Sequence, residues 1–285
     1  MKKITVLGAG LMGHGIAQVA AQIGKYDVTM RDIEQRFIDN GINMIRTSLQ
    51  KFVSKGQITE TEMNETLARI HTTLDLKQAV SNADLIIEAV PENIELKKTT
   101  FREVDVYVPK HAIIASNTSS VSITELASAT KRPEKVAGMH FFNPPQLMKL
   151  IEIIKGAKTS DETIQTIQEV AQKMEKETVL VKKDTPGFIV NRILIPALNE
   201  AVALLWEDIA TKEDIDKAIK LGLNWPMGPL MLLDYIGADT TLAIAEVLQH
   251  ELDEKFHPHP GLKQMVKANL LGRKTGKGFY DWTQK

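Results

Sequence analysis

The most informative segment for the fold is Ile4-Thr5-Val6-Leu7-Gly8-Ala9-Gly10-Leu11-Met12-Gly13, an apolar strand that runs into three glycines. At this spacing Gly8 permits a tight turn, Gly10 lets the backbone approach a pyrophosphate, and Gly13 lets the following helix pack closely. The amide groups and the dipole at the start of that helix then face the phosphates. Glycines also mark ordinary turns, but the succession of strand, turn, helix, strand and acid predicts a bound dinucleotide.

The acid in this succession is Asp32, which follows the second apolar run, Asp27 to Arg31. A carboxylate here accepts hydrogen bonds from the adenine ribose hydroxyls and repels a 2′-phosphate, so the sequence favours NAD over NADP. Arg31 leaves the choice open, because a neighbouring cation can offset part of that repulsion. We expect Leu11 and Met12, inside the turn, to line the cofactor together with the glycines.

The composition restricts the partners and the compartment. The 285 residues are 43% hydrophobic and carry a formal net charge of −1, so neither nucleic acid nor an anionic membrane would meet a concentrated positive face. The absence of cysteine excludes disulfides and thiolate nucleophiles. His257 and His259 lack further ligands at a metal-binding spacing, so we expect no metal. With no signal peptide and no apolar run near the roughly 20 residues of a membrane helix, we expect a cytoplasmic protein.

Short apolar runs alternate with helical stretches in the first part of the chain. They predict a Rossmann-type, doubly wound and mostly parallel sheet that is buried on both faces. We expect its strands at residues 4–7, 27–31, 85–89, 112–116, 136–141, 150–154 and 178–181. The stretch from about 33 to 74 is too long for a simple crossover, and its apolar spacing predicts two helices that project from the sheet edge beside the cofactor.

The predicted strands stop at Asp184, where we place the domain boundary. Residues 1–184 are expected to form the NAD-binding domain, and residues 185–285 an all-helical C-terminal domain for substrate binding and dimerisation. The stretch Asp184-Thr185-Pro186-Gly187 offers a cap residue and then a proline near the first position of the long apolar helix that follows, in which Pro196 favours a kink. The helices of this domain are expected at residues 188–206, 212–221, 230–235, 240–250 and 262–270.

The most suggestive chemistry lies where a predicted strand delivers His140 to a loop. Catalytic groups collect at such strand ends in an open α/β sheet. Twelve residues later Glu152 interrupts an apolar strand, where an ionised side chain costs several kcal/mol unless it is paired. Either residue alone is more commonly structural. As a pair, the carboxylate would fix the imidazole tautomer and stabilise its protonated form, as a base requires while it removes a proton.

Further polar groups are predicted at the same sheet edge. The run Ser116-Asn117-Thr118-Ser119-Ser120 follows a strand, although part of it is expected to cap the next helix. Glu92 and Lys97 follow the strand at 85–89 and by default begin a helix. Asn191 lies among apolar residues after the boundary, and a cleft between the domains would bring its amide to the sheet edge.

Several segments, in order and over essentially the whole length, resemble the L-3-hydroxyacyl-CoA dehydrogenases, and most closely the short bacterial 3-hydroxybutyryl-CoA dehydrogenases. The segments are Gly8 to Gly13, Ser116-Asn117-Thr118-Ser119-Ser120, His140-Phe141-Phe142-Asn143-Pro144, Met148-Lys149-Leu150, Asp184 to Arg192, Pro226-Met227-Gly228-Pro229 and Lys274-Thr275-Gly276-Lys277-Gly278-Phe279-Tyr280. Together they are far more specific than one glycine motif.

The resemblance implies reversible oxidation of an (S)-3-hydroxyacyl-CoA, with His140 as general acid/base and Glu152 as its partner. It also implies that Ser119 and Asn191 contact the reacting oxygen or support its geometry. The remaining implied contacts are Glu92, Lys97, Ser119, Asn143 and Lys274 with the nicotinamide cofactor, and Ser48, Lys55 and Ser119 with coenzyme A. Taken alone, Ser48 and Lys55 look like solvated surface residues. The family usually associates through its C-terminal domain, so we expect a homodimer or a higher homo-oligomer.

Two other functions stay open on the sequence alone. One is a dehydrogenase of the same architecture that acts on a sugar acid. The other is a non-catalytic dinucleotide-binding protein, which the intact His140, Glu152, Ser119 and Asn191 speak against, because a binding module needs no acid/base pair. The residues determine neither the acyl chain length nor the physiological direction.

Overall fold

The computed structural model describes residues 1–283 of the chain. The chain divides into two compact units, one from Met1 to Thr185 and one that begins at Pro186. Within the described residues, no helix combines the length and apolar character needed to cross a membrane.

The first unit is built on one eight-stranded sheet. Its strands are β1 Lys3–Leu7, β2 Asp27–Arg31, β3 Ile70–Thr73, β4 Leu85–Glu88, β5 Ile113–Ser116, β6 Val136–Phe141, β7 Leu150–Ile154 and β8 Glu177–Val181. They lie in the order β3-β2-β1-β4-β5-β6-β7-β8, and all neighbours are parallel except β6 and β7. The central strands β4, β5 and β6 are buried along their whole length, as expected for apolar strands covered on both faces. The predicted Rossmann-type fold is confirmed.

Seven α-helices accompany this sheet. They are α1 Gly13–Gln22, α2 Gln35–Ser54, α3 Glu60–Ala68, α4 Leu76–Val80, α5 Ile94–Tyr107, α6 Ile123–Ser128 and α7 Asp161–Lys173. The long α2 buries only Ile38, Gly41, Ile45 and Leu49, whose spacing of three and four residues forms one apolar stripe. A capping box between Thr59 and Glu62 starts α3, which satisfies two amide groups at the helix end.

The helical excursion after Asp32 ends earlier than the sequence analysis placed it. The helices α2 and α3 are the predicted pair, but Ile70–Thr73 form the edge strand β3, parallel to β2. The prediction of helix up to about residue 74 is therefore wrong for this segment. Its residues Ile70, Thr72 and Thr73 are β-branched and suit an extended chain, but a four-residue strand is decided by its pairing partner, which local spacing does not reveal.

The second unit is helical, with a core formed by residues such as Leu198, Val202, Leu233 and Leu262. Its helices are α8 Val190–Trp206, α9 Lys212–Gly222, α10 Pro229–Ile236, α11 Ala238–Glu251 and α12 Pro260–Lys267. Pro196 lies inside α8. The fully buried Asp234 accepts hydrogen bonds from the N–H groups of Phe279 and Tyr280, at 3.0 and 2.8 Å, and thereby attaches the C-terminal segment to α10.

The sequence predicted that one residue of Asp184-Thr185-Pro186-Gly187 caps the helix that follows, and this prediction is wrong. No side chain caps α8, whose N-terminal flanking residue is Ile189. The Asp184 Oδ2 atom instead accepts hydrogen bonds from Ser122 Oγ, at 2.6 Å, and from Thr124 N, at 2.8 Å. It therefore supports the start of α6, a partner 60 residues away in sequence that local capping rules do not identify.

Asp84, immediately before β4, is expected to make the stability of the first unit depend on pH in the acid range. Burial opposes its ionisation, but the N–H groups of Lys2 and Lys3 and the His111 ring outweigh this and lower the pKa of the carboxyl to about 2. Because the folded-state pKa lies below the unfolded value, the ionised group stabilises the fold above about pH 4, and this contribution is lost as the pH falls towards about 2.

We therefore expect Asp84→Asn to lower the melting temperature at neutral pH, with a difference from wild type that shrinks below about pH 4. Thermal unfolding followed by circular dichroism across this range measures it. A difference that stays constant with pH would contradict the assignment.

Candidate functional site

The glycine turn follows β1 at the point where the chain order of the sheet reverses between β1 and β4. Gly8 has a φ of +103°, and a Cβ built there would lie 2.6 Å from the Ala89 carbonyl oxygen. A Cβ on Gly13 would lie 1.8 Å from the Gly8 carbonyl oxygen, so both positions require glycine. A Cβ on Gly10, in contrast, would meet no atom within 4 Å. This open side of the turn fits a pyrophosphate that approaches the backbone.

The Asp32 side chain is hydrogen-bonded to the backbone of this turn. Its Oδ2 atom accepts a hydrogen bond from Ala9 N and its Oδ1 atom one from Ile33 N, both at 2.7 Å. Each carboxylate oxygen has two lone pairs, so acceptor capacity remains for ribose hydroxyls. The Arg31 Nε group donates to the Leu74 carbonyl at 3.1 Å, beyond the end of β3. These residues fit the adenosine half of a dinucleotide.

His140 and Glu152 lie directly opposite each other in the antiparallel pair β6 and β7. Residues opposite each other in such a pair point to the same face of the sheet. The His140 Nδ1 atom is 2.8 Å from Glu152 Oε2, the histidine is 6% exposed, and the glutamate is fully buried. The structure therefore forms the pair that the sequence predicted, at the carboxyl end of β6.

The segment after β5 meets the end of β6 beside His140. The Asn117 side-chain oxygen accepts a hydrogen bond from Phe141 N at 2.9 Å, so the two strand ends are held together. Thr118 is buried, whereas Ser119 and Ser120 are half-buried. Because β1, β4, β5 and β6 are parallel neighbours, this segment, the glycine turn and His140 share one edge of the sheet.

One carboxylate oxygen of Glu92 accepts several hydrogen bonds from the Thr118–Ser120 segment. Its Oε1 atom accepts hydrogen bonds from Thr118 Oγ1 at 2.5 Å, from Ser119 N at 2.9 Å and from Ser120 N at 3.1 Å. Burial opposes ionisation of Glu92, but the Lys97 ammonium and these hydrogen bonds outweigh it and hold the pKa of the carboxyl below its usual value. Glu92 is thus an ionised anchor for the Thr118–Ser120 segment.

Sequence reasoning missed Glu88, the last residue of β4. Its side chain is fully buried and lies 2.8 Å from the ammonium of Lys97, which is itself only 1% exposed. Lys97 also lies 3.1 Å from Glu92. A signal was present, because Glu88 ends the apolar run Leu85-Ile86-Ile87 just as Glu152 interrupts β7.

The loop after His140 is held by a second buried cation that the sequence analysis did not identify. Lys176 donates from Nζ to the carbonyls of Pro145, at 2.7 Å, and Met148, at 2.8 Å. Burial lowers the pKa of its ammonium. Gln146 Nε2 in turn donates to Gln18 on α1 at 3.0 Å, so the loop that follows His140 is tied to the helix that follows the glycine turn.

Comparison with known proteins identifies the family of both compact units. The family model for the NAD-binding domain of 3-hydroxyacyl-CoA dehydrogenase matches residues 3–185, and the model for the C-terminal domain of the same enzymes matches residues 187–282. The chain belongs to the 3-hydroxyacyl-CoA dehydrogenase family. The two matches meet between the two compact units of the structure.

Relatives within the 3-hydroxyacyl-CoA dehydrogenase family match over the full length. A probable 3-hydroxybutyryl-CoA dehydrogenase of Deinococcus radiodurans is 50% identical, with 98% of this chain and 100% of that protein covered. The 3-hydroxybutyryl-CoA dehydrogenase of Clostridioides difficile is 47% identical, with 99% and 100% covered. The crystal structure of the (S)-3-hydroxybutyryl-CoA dehydrogenase PaaH1 from Ralstonia eutropha superposes with a TM-score of 0.94, at 42% identity and with 100% of both chains covered.

The other residues that the family resemblance singles out are spread over both units. Ser48 is half-buried on α2, and the exposed Lys55 immediately follows the end of that helix. Asn143 is exposed in the loop after β6. In the second unit, Asn191 is half-buried in the first turn of α8, and Lys274 lies 2.8 Å from Asp239. Among residues 1–283, no three histidine, aspartate or glutamate side chains form a group that could hold a metal.

Proposed function

We propose that the protein catalyses the reversible oxidation of a short-chain (S)-3-hydroxyacyl-CoA, 3-hydroxybutyryl-CoA, to the 3-oxoacyl-CoA with NAD as cofactor. The observation that carries the proposal is the buried His140–Glu152 pair, 2.8 Å apart at the sheet edge that also holds the glycine turn. An acid/base pair beside a dinucleotide turn is what alcohol oxidation requires. The names of the full-length relatives support the acyl-CoA substrate.

In the oxidation direction, the proton of the substrate hydroxyl passes to Nε2 of His140 as hydride leaves C3. When bound, the nicotinamide ring supplies the acceptor for that hydride. Because Nδ1 of His140 faces Glu152, the imidazole is oriented with Nε2 towards the substrate, and the carboxylate stabilises the imidazolium that forms. In the reverse direction the imidazolium returns its proton to the carbonyl oxygen.

Ser119 and Asn191 are proposed to donate hydrogen bonds to the reacting oxygen. Such donors stabilise the charge that develops on oxygen in the transition state. Ser119 Oγ lies 3.3 Å from Glu92 Oε1, so its hydroxyl rotates from the carboxylate to the substrate in this scheme. For the cofactor we propose contacts from Gly8, Gly10, Leu11, Met12, Gly13, Asp32, Glu92, Asn143 and Lys274, with Lys97 acting through Glu92. Ser48 and Lys55 are proposed to hold the coenzyme A moiety.

The direct test is acetoacetyl-CoA-dependent oxidation of NADH by the purified protein, with free acetoacetate as a comparison substrate and a sugar acid assayed in the opposite direction, as a reductant of NAD. We expect turnover with the thioester and little with the free acids, because only the thioester carries the coenzyme A moiety that Ser48 and Lys55 are proposed to bind. Turnover of a sugar acid alone would favour the rival dehydrogenase. Cofactor binding with no turnover of any of these substrates would favour a non-catalytic protein.

The cofactor choice is tested at Asp32. We expect wild type to prefer NADH, since the carboxylate repels a 2′-phosphate and Arg31 is engaged by Leu74. Asp32→Asn keeps an acceptor for Ala9 N but removes the charge, and it should lower the ratio of kcat/KM for NADH to that for NADPH by about tenfold, or ~1.4 kcal/mol. A wild-type preference for NADPH, or an unchanged ratio in the variant, would contradict this role.

We also propose a homodimer formed through the second unit. Large apolar side chains are exposed there, among them Ile193 at 69%, Leu221 at 76% and Leu223 at 61%. An interface through this unit would remove these side chains from water, which is favourable. Light scattering coupled to size-exclusion chromatography measures the assembly, and a monomer at micromolar concentration would contradict the proposal.

A further inference from the structure

The buried carboxylate of Glu88 has no role in the mechanism above, yet both of its oxygens accept hydrogen bonds. Oε1 lies 2.8 Å from Lys97 Nζ and accepts from Val90 N at 2.7 Å, and Oε2 accepts from Ser116 Oγ at 2.6 Å. Burying an ionised carboxylate costs several kcal/mol unless such partners compensate it. Two chains of contacts lead from this group to the same short segment, Thr118–Ser120.

The first chain runs through β5. Ser116, at the end of that strand, donates to Glu88, and its hydroxyl oxygen accepts from Thr118 N at 3.2 Å. The Thr118 hydroxyl oxygen then accepts from Ser120 N at 3.2 Å and from Val121 N at 2.8 Å. Glu88 therefore fixes the turn of the backbone on which Ser119 is carried.

The second chain runs through α5. The Lys97 ammonium bridges Glu88 Oε1, at 2.8 Å, and Glu92 Oε2, at 3.1 Å, and it donates to the Val90 carbonyl at 3.1 Å. The other oxygen of Glu92 accepts from Ser119 N at 2.9 Å. A charge-assisted contact is stronger in a site that excludes water, so the buried Glu88–Lys97 pair holds Glu92 in place.

We propose that Glu88 is a positioning residue that sets the place of Ser119 through both chains of contacts. The inference rests on the proposed function for the role of Ser119, but the placement itself does not depend on it. A hydroxyl that donates to the reacting oxygen contributes fully only when it is held within about 0.5 Å of the productive position. Glu88 is fully buried and acts only through its neighbours.

The kinetic test is a double-mutant cycle with Glu88→Gln and Ser119→Ala. Glutamine keeps the size of the side chain but removes the charge, so we expect kcat with acetoacetyl-CoA to fall by roughly tenfold to a hundredfold. If Glu88 acts through Ser119, the same substitution in the Ser119→Ala background should change kcat by no more than about twofold. Multiplicative effects of the two substitutions would overturn the proposal.

The second test needs no activity. Hydrogen exchange at the Thr118, Ser119 and Ser120 amides of the ligand-free protein should accelerate at least about tenfold in Glu88→Gln. The matched control is Asp84→Asn, a carboxylate next to the opposite end of β4, which should leave these three amides unchanged. Unchanged exchange in Glu88→Gln would overturn the proposal. Faster exchange in a protein whose wild type does not reduce acetoacetyl-CoA would uphold the placement and contradict the proposed function.

If Glu88→Gln fails to fold, Ser116→Ala and Glu92→Gln each interrupt one chain of contacts. Each is expected to accelerate exchange at these amides. If neither does, the segment is held by other contacts and the proposal is wrong.

Discussion

Replacing His140 by alanine is expected to lower kcat for acetoacetyl-CoA reduction by roughly 10² to 10⁴, the range that positioned acid/base groups contribute. The affinity for NADH should change little, because His140 exchanges a proton with the substrate and does not hold the dinucleotide. Steady-state kinetics gives kcat, and fluorescence titration gives the NADH dissociation constant. Glu152→Gln keeps the shape of the partner without its charge, and it should produce a smaller loss of kcat.

The matched control is His71→Ala. His71 also pairs with a carboxylate, Asp27, at 2.8 Å between neighbouring strands, but its side chain is 60% exposed. It should leave kcat unchanged. A folded His140→Ala protein that kept near-normal turnover would refute the assignment of His140 as the acid/base catalyst, whatever its affinity for the cofactor.

Replacing Lys97 by methionine is expected to destabilise the first unit by about 3 to 5 kcal/mol, because it leaves the buried Glu88 carboxylate without its cation. Glu88 and Lys97 are 0% and 1% exposed, so no solvent compensates the lost partner. Chemical denaturation followed by circular dichroism is the appropriate measurement, since all three tryptophans, Trp206, Trp225 and Trp282, lie in the second unit.

Two further variants make this result specific. The double variant Glu88→Gln with Lys97→Met removes the uncompensated charge, so it should recover part of the loss. Lys98→Met, on the same helix, removes an ammonium that is 22% exposed and pairs with Glu125 at 3.0 Å, so it should destabilise the protein much less than Lys97→Met does. Equal losses of unfolding free energy in Lys97→Met and Lys98→Met would contradict the prediction that the buried Glu88–Lys97 pair contributes more to stability than a more exposed pair.

Periodicity predicted most of the fold, because the elements concerned are long or strongly patterned. The apolar runs around β1, β2 and β4 to β8 appear as strands at nearly the expected positions, and the second unit contains the five expected helices. The edge strand β3 was not predicted from the sequence, because the hydrophobic pattern of four residues is too short to distinguish a strand from the end of a helical excursion. The hydrogen-bond donors to Asp184 were not predicted, because capping rules consider only the next few residues, whereas these donors lie at the start of α6.

Some residues of the candidate site were also predictable from the sequence, and others were not. The types of His140 and Glu152, a histidine at a strand end and a charge within an apolar strand, were enough to single them out. Lys97 was singled out too, but as a cation for the cofactor, whereas it lies between Glu88 and Glu92 with 1% of its side chain exposed. Glu88 and Lys176 carried no recognised motif, and their importance follows from burial and from partners distant in sequence.

Local sequence was sufficient for the glycine turn, for Asp32 after it and for the succession of strands that builds the sheet, because these depend on backbone sterics and local hydrophobic pattern. The antiparallel direction of β7 against β6 results instead from tertiary packing, and the resulting register sets Glu152 opposite His140. Tertiary packing also places the Lys97 ammonium between the fully buried Glu88 and the more exposed Glu92, whose other oxygen accepts a hydrogen bond from Ser119 N. Register and burial arise from packing between distant segments, and for that reason no local pattern in the chain contains them.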